Sequence, residues 1–176
     1  MEPEIARAGW DELDVRVAYA LLRLRSDVFV VEQECAYPDL DGRDTEPTTE
    51  HRWLHEAGDP AAVLAYLRVL GDPAGWRVGR VVTAPSARGR GLAGVLVSHV
   101  LDDHGAASRI VLDAQSHLTS WYARYGFLRD GDDFVEDGIP HTPMARPPGG
   151  PDAVSTSAGG QGSCSTSRSR ATRGPV

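Results

Sequence analysis

The stretch Val81–Gly94 constrains this chain most, because a short apolar strand runs through a glycine-rich turn into an amphipathic helix. Its three glycines and two arginines are Gly89, Gly91, Gly94, Arg88 and Arg90. The first turn of a helix has unpaired N–H groups and a partial positive charge, and glycines let a phosphate approach those groups closely. The segment therefore predicts a turn that binds a phosphate or pyrophosphate.

The same glycines also have the spacing of a dinucleotide-binding fingerprint, and Asp113 ends the next predicted strand where it could hold a ribose. Two observations weigh against that interpretation. Five residues separate Thr83 from Gly89, whereas the glycines of a dinucleotide motif follow the strand directly. Too few strand–helix units follow Asp113 to complete such a fold. An NAD(P)-binding oxidoreductase stays open as the less favoured alternative.

Hydrophobic periodicity around the turn predicts helices and short strands. An apolar stripe predicts a first helix over Leu13–Phe29, and a helix beginning after Gly91 is expected to end at Gly105 in a left-handed cap. The predicted strands are His51–Glu56, Val63–Leu70, Trp76–Thr83, Arg109–Ala114, Phe127–Arg129 and Phe134–Met144, with a short helix over Leu118–Tyr125. This order predicts an α/β (α+β) fold with a mixed, mostly antiparallel sheet flanked by helices.

The chain changes in composition near its end. Residues 1–146 have the apolar content of a single domain, whereas residues 147–176 consist mainly of Gly, Ser, Pro, Thr, Ala and Arg. We predict a disordered tail over 147–176. Without three arginines and one aspartate of the tail, the net charge falls from -7 to -9.

Charge and composition limit the classes of partner. An acidic domain repels nucleic acid and anionic lipid, so we expect neither nucleic acid nor a membrane as a partner. We expect a cytoplasmic location. The chain has no lysine, which excludes Walker-type phosphate loops and lysine bases. Its two cysteines, Cys35 and Cys164, predict neither a disulfide framework nor a zinc site.

Two motifs resemble the GCN5-related N-acetyltransferases (GNAT). Arg88–Ala93 matches the pyrophosphate loop of that superfamily, with Pro85 three residues before the arginine. Downstream, Trp121–Phe127 matches its aromatic-Tyr-x-x-x-Gly-Phe element. Further stretches, including Asp41–Asp44 and Glu136–His141, resemble the ElaA-type branch. The resemblance covers residues 4–146.

The resemblance implies an acetyl-CoA-dependent transferase that uses no metal. It assigns the binding of the acyl donor to Val81, Val82, Thr83, Arg88, Gly89, Arg90, Gly91, Leu92, Ala93 and Gly94. It also assigns Tyr122 as the general acid that protonates the coenzyme A thiolate, whereas we expect Tyr125 to be structural.

The resemblance does not provide a general base, because Arg77 and Arg80 occupy the strand on which many relatives carry a glutamate. Charge and loop position leave five candidates open: Glu32, Glu34, Glu136, His117 and His141. A metal site at His51 and His55 lacks further ligands nearby, and direct attack by an amine makes Cys35 unnecessary as an acyl carrier.

We therefore expect acetyl transfer to a small-molecule or peptide amine, with the exposed acidic loop Pro38–Pro47 attracting a cationic acceptor. A non-catalytic acyl-CoA-binding sensor is the alternative from another class, and the missing strand glutamate favours it. The identity of the amine and homodimerisation stay open.

Overall fold

The computed structural model describes residues 2–34 and 37–150. Within these residues one sheet contains β1 (Glu4–Ala8), β2 (Thr49–Glu56), β3 (Asp59–Asp72), β4 (Gly75–Thr83), β5 (Ile110–Gln115), β6 (Leu128–Arg129), β7 (Phe134–Glu136) and β8 (Ile139–Arg146). The α-helices are α1 (Val15–Arg25), α2 (Leu92–His104) and α3 (Thr119–Ala123), and a π-helix spans Ser26–Glu32. Short 3₁₀ turns occupy Trp10–Glu12, Arg43–Thr45, Pro85–Ala87 and Ser116–Leu118.

The strand order is β1-β2-β3-β4-β5-β8-β6, and β7 also pairs with β8. β4 and β5 run parallel, and the other pairs in the described part of the sheet are antiparallel. The predicted mixed, mostly antiparallel sheet is confirmed. A dinucleotide fold requires a doubly wound parallel sheet, so this topology contradicts the oxidoreductase alternative.

The sheet buries apolar residues on both faces, and β3 is its centre. Successive strand residues point to opposite faces. Accordingly, Tyr66 packs with Leu21 of α1 on one face, whereas Leu67 packs with Leu96 of α2 on the other. Val63–Leu70 is apolar almost throughout because both faces of β3 are covered.

Two predicted helix boundaries differ from the structure. The first α-helix begins at Val15, because the Asp14 side chain accepts the N–H of Arg16 and caps it, and beyond Arg25 the chain continues as the π-helix. The predicted left-handed cap at Gly105 is wrong, since its φ is -68°. Glycine is needed there for space, because a Cβ would lie 2.6 Å from the Leu101 carbonyl oxygen.

After β8, residues 147–150 turn back toward α2, and the Gly149 N–H donates to the Gly105 carbonyl at 2.8 Å. The predicted boundary at residue 146 stays a prediction, and most of the predicted tail, with Cys164, lies outside the described residues, as does Cys35. None of the described helices combines the length and apolar character that crossing a membrane requires.

Candidate active site

A cleft opens where β4 and β5 diverge. In the described sheet the two strands are in register at Trp76–Ile110 and Arg77–Val111, near the start of each strand. A β-bulge lies farther along β4, because two residues, Arg80 and Val81, face one residue of β3, and Arg80 has a φ of 54°. Bulges of this kind redirect strands beside active sites. The widening gap leaves room for an elongated ligand between the strands.

A cavity of about 350 Å³ extends from this gap. Its wall includes Val81 of β4, Leu112 and Asp113 of β5, and Tyr122 of α3. The hairpin of β7 and β8 closes another side with Glu136 and His141, and the segment after the π-helix adds Tyr37, Asp41 and Arg43. Residues from β4, β5, α3, the β7–β8 hairpin and the segment after the π-helix therefore meet at one cavity.

The glycine-rich turn lies between β4 and α2. Gly89 and Gly91 have φ values of 75° and 73°, and a Cβ on either would meet no protein atom within 4 Å. Gly91 caps α2, and its carbonyl accepts the N–H of Gly94 at 3.0 Å. The amides of Leu92 and Ala93 precede this first intrahelical bond, so they remain available to an anion.

The other residues predicted to bind the acyl donor have different environments. Val82 is buried against α1 on the opposite face of the sheet, so its side chain is not part of the cleft. Arg88 forms an ion pair with Glu32 at 2.8 Å, and Arg90 is exposed. Gly94 is required for packing, because a Cβ there would collide with the Tyr125 hydroxyl.

Tyr122 lines the cavity from α3, with 6% of its surface exposed. Its ring contacts Trp121 edge-on at 4.7 Å and Phe127 at 6.0 Å between centroids. Burial raises the pKa of the Tyr122 hydroxyl to about 12. The phenol is therefore protonated at neutral pH and can donate a proton. Tyr125 packs against Trp121 and over Gly94, in agreement with its expected structural role.

The predicted acidic loop is exposed over most of its length, but Asp39 and Asp44 are buried and its acidic residues are paired with arginines. Arg25 donates to Asp39 at 3.0 Å and to Asp44 at 2.6 Å, and the three side chains are almost inaccessible to solvent. On the cavity side, Arg68 binds Asp41 at 2.6 Å, and Arg80 binds Asp39 at 2.8 Å. Because arginines neutralise these aspartates, the loop cannot attract a cation at long range as the sequence suggested.

The same pairs determine the protonation of the loop. Burial by itself would raise the pKa of Asp44, but the hydrogen bond and charge of Arg25 and the charge of Arg68 lower it overall. A side-chain hydrogen bond from Arg68 holds the pKa of Asp41 well below its usual range. Both carboxylates are charged at neutral pH, which keeps the loop fixed to the sheet.

The two histidines considered as metal ligands have other partners. The His51 ring is buried, with Nδ1 2.9 Å from the Tyr66 hydroxyl and Nε2 2.9 Å from the Asp44 carbonyl oxygen. His55 Nδ1 lies 2.9 Å from the Glu56 carbonyl oxygen. In the ranges 2–34 and 37–150, no group of three His, Cys, Asp or Glu side chains is arranged to hold a metal ion.

Comparison with known proteins agrees with this geometry. The model of the acetyltransferase (GNAT) domain matches residues 33–147. This chain belongs to the GNAT family. A UPF0039 protein of Mycobacterium tuberculosis is 47% identical over 152 residues, which cover 84% of this chain and 96% of the relative.

Solved structures of GNAT proteins share the fold. The crystal structure of an acyl-CoA N-acyltransferase from Pseudomonas aeruginosa is 37% identical with a TM-score of 0.76, covering 82% of this chain and 99% of that one. The crystal structure of Escherichia coli ElaA has a TM-score of 0.75 with the same coverage, at 34% identity. In sequence, E. coli ElaA is 38% identical over 143 residues, which cover 77% of this chain and 90% of ElaA. The resemblance to the ElaA-type branch is thus confirmed.

In this GNAT domain the candidate bases separate into two groups. Glu136 and His141 line the cavity together with Tyr122. Glu32 is paired with Arg88, and Glu34 and His117 are exposed and are not part of the cavity wall. The fold therefore brings two of the five candidates to the cavity wall.

Sequence reasoning missed Arg68 and Tyr37 on the cavity wall, and it named Arg80 only as the occupant of a strand position. Arg68 and Arg80 lie on β3 and β4, and the Arg80 guanidinium stacks 5.3 Å from the Tyr37 ring centroid. One signal was present: Arg25 interrupts the apolar stripe of α1, four residues after Leu21. A charged residue on a buried helix face indicates a buried ion pair, although the partner cannot be identified from spacing.

Proposed function

We propose that this GNAT domain is an acetyl-CoA-dependent N-acetyltransferase that transfers acetyl from the thioester directly to an amine. The GNAT fold supports acyl-CoA-dependent N-acyl transfer in general. We add to this that the acyl group is acetyl and that the acceptor is an amine. One observation carries it: Gly89 and Gly91 leave an open helix N-terminus beside the β4–β5 gap, whose cavity contains Tyr122.

The residues of the turn fit a diphosphate. The free amides at the start of α2, including those of Leu92 and Ala93, would hold its oxygens, and the absence of a Cβ at Gly89 and Gly91 gives them close access. Arg90 adds positive charge nearby, whereas Arg88 is paired with Glu32. From that anchor, the pantetheine arm would follow β4 past Thr83 and Val81 into the gap. The thioester would then lie near Tyr122.

The chemistry requires a nucleophilic amine and a proton for the leaving thiolate. The amine nitrogen attacks the thioester carbonyl carbon, and the carbon–sulfur bond breaks with its electron pair going to sulfur. Tyr122 would donate the proton to that sulfur, because burial keeps its hydroxyl protonated. Exclusion of water from the buried end of the gap would also protect the thioester from hydrolysis.

Two measurements test the proposal. Coenzyme A at one hundred times its dissociation constant stabilises a binding protein by about 2.7 kcal/mol, which shifts the melting temperature of a domain this size by about 5–10 °C. We expect this shift with millimolar coenzyme A and none with NAD or NADP. An acetylation screen of small amines and peptides, read by mass spectrometry, should then show products about 42 Da heavier, because an acetyl group replaces one hydrogen of the amine.

The outcomes separate the candidate functions. No shift with coenzyme A contradicts the proposed binding turn and with it the enzyme. A shift without transfer to any amine favours a non-catalytic acyl-CoA sensor, the alternative suggested by Arg77 and Arg80 on β4. A shift with NAD instead would indicate a different ligand for the glycine turn.

A further inference from the structure

The β7–β8 hairpin brings two candidate bases to the cavity wall. Its two turn residues, Asp137 and Gly138, have φ values of 48° and 80°, as in the type I′ turn that suits tight hairpins. β8 pairs with β5 from His141 onward, and His141 lies opposite Gln115. His141 is thus held between β5 and β7, whereas Glu136 lies on β7, which pairs with β8 alone in the described sheet.

The His141 ring has one orientation and one tautomer. Its Nδ1 lies 2.9 Å from the Ile139 carbonyl oxygen. A carbonyl oxygen only accepts hydrogen bonds, so Nδ1 carries the proton and the lone pair of the neutral ring is on Nε2. The ring also stacks on Phe134, with centroids 5.6 Å apart and an angle of 23° between the planes. His141 therefore has a basic nitrogen that its own hydrogen bond leaves free.

The carboxylates of Glu136 and Asp137, which are unpaired among the described residues, make the cavity wall near His141 negatively charged. The arginines on the wall are each paired with a carboxylate: Arg77 with Asp113, Arg68 with Asp41, Arg80 with Asp39 and Arg43 with Glu46. Tyr37 and Tyr122 are uncharged at neutral pH, because burial raises the pKa of both hydroxyls. Within the described chain, Glu136 and Asp137 form no ion pair.

We propose that His141 is the general base of the reaction and that Glu136 holds the acceptor ammonium before it loses its proton. The inference rests on the proposed function. Nε2 takes one proton from the ammonium, and the neutral amine forms the new bond to the thioester carbon. Tyr122 protonates the departing sulfur, and the resulting phenolate regains a proton from the acylated nitrogen. The proton on His141 passes to solvent, so one proton is released for each acetyl group transferred.

This base indicates the class of acceptor. An α-amine has a pKa of about 8 and a lysine-type amine about 10.4. At pH 7 about one α-amine in ten is already deprotonated, against about one lysine-type amine in 2,500, so an α-amine depends far less on the strength of the base. We infer that the acceptor presents an α-amine, as a peptide N-terminus or an amino-acid-like molecule does.

The test uses the full chain and two peptides. One has a free N-terminus and no lysine, and the other has a blocked N-terminus and one lysine. We expect kcat/KM for the first to exceed that for the second at least tenfold at pH 7. Equal values, or a preference for the lysine peptide, would overturn the assigned acceptor class.

His141→Asn replaces the ring with a side-chain amide, which can still donate to the Ile139 carbonyl but cannot act as a base. We expect kcat/KM to fall about tenfold at pH 7 and to recover toward the wild-type value near pH 9, because the free fraction of an α-amine rises about tenfold over this range. Glu136→Gln should raise KM at least fivefold with little change in kcat. Asp132→Asn is the matched control, with a change below threefold, because Asp132 is exposed and is not part of the cavity wall. His141→Gln serves as a second variant if the first does not fold.

Failure of this inference differs from failure of the proposed function. The His141 variant used for kinetics must keep the melting shift with coenzyme A, which shows an intact fold and donor site. The base assignment alone is overturned if the wild-type protein is active and the His141 variant keeps its kcat/KM. It is also overturned if the variant loses kcat/KM equally at pH 7 and pH 9. Absence of transfer by the wild-type protein to any amine overturns both proposals.

Discussion

The Arg25 Nη1 atom lies 2.6 Å from Asp44 Oδ1, and the two side chains are 0% and 7% exposed. Arg25 belongs to the end of α1, whereas Asp44 belongs to the loop that contributes Asp41 and Arg43 to the cavity wall. This ion pair therefore connects the helical layer to the wall of the candidate active site. Arg68 also contacts Asp44, at 3.0 Å, so one carboxylate serves two buried guanidinium groups.

Asp44→Ala should destabilise the fold severely. Removal of one partner from a buried ion pair leaves an uncompensated charge and costs about 3–5 kcal/mol. Urea unfolding would measure this loss in the free energy of unfolding. Glu46→Ala is the control from the same loop, because its ion pair with Arg43 is exposed and should contribute less than about 1 kcal/mol. Similar losses in both variants would contradict the importance of the buried pair.

The free energy of unfolding should also decrease at acidic pH, because the loop aspartates become protonated. The folded-state pKa of Asp41 is lowered by its hydrogen bond from Arg68, whereas an unfolded aspartate has a pKa of about 3.9. Its contribution is therefore complete above about pH 4–5 and is lost as pH falls below that value. Urea unfolding from pH 7 to pH 3 should show a smaller loss for Asp41→Asn than for the wild type. Parallel curves would exclude this carboxylate as a source of the acid sensitivity.

Gly91→Ala should weaken coenzyme A binding at least tenfold. The added methyl would occupy the space open to the diphosphate, and alanine with a φ of 73° is strained by about 1–2 kcal/mol. Gly58→Ala provides a matched control, since Gly58 has a φ of 82°, open surroundings and a place in the β2–β3 turn. Both variants should lose similar stability in thermal unfolding. Calorimetric titration should show weaker binding in the Gly91 variant alone.

Tyr122→Phe should lower kcat by about 100-fold with little effect on the affinity for coenzyme A. The phenylalanine ring can keep the contacts with Trp121 and Phe127, so the change removes the proton donor and preserves the packing. Steady-state kinetics with calorimetry would measure both quantities. Tyr125→Phe is the control, because its ring packs over Gly94. Turnover that is unchanged in Tyr122→Phe would remove this residue from the acid role.

The sequence by itself determined those parts of this protein whose conformation depends on residues adjacent in the chain. The strand, the glycine turn and the helix beginning after Gly91 lie within one segment, and backbone conformation with helix-end chemistry is enough to predict them. The antiparallel arrangement of β2, β3 and β4 followed from short apolar runs joined by turns. The aromatic motif identified Tyr122, and the fold places that residue on the cavity wall.

Only the tertiary structure decided which charges face solvent and which meet at the cavity. Arg25 and Asp44 are 19 residues apart, Arg68 and Asp41 are 27 apart, and Arg88 and Glu32 are 56 apart. No local pattern encodes such pairs, because side-chain charge acts through space and its partner depends on how strands and helices pack. For the same reason, five candidate bases looked equivalent in the sequence, and strand pairing brought Glu136 and His141 to the site.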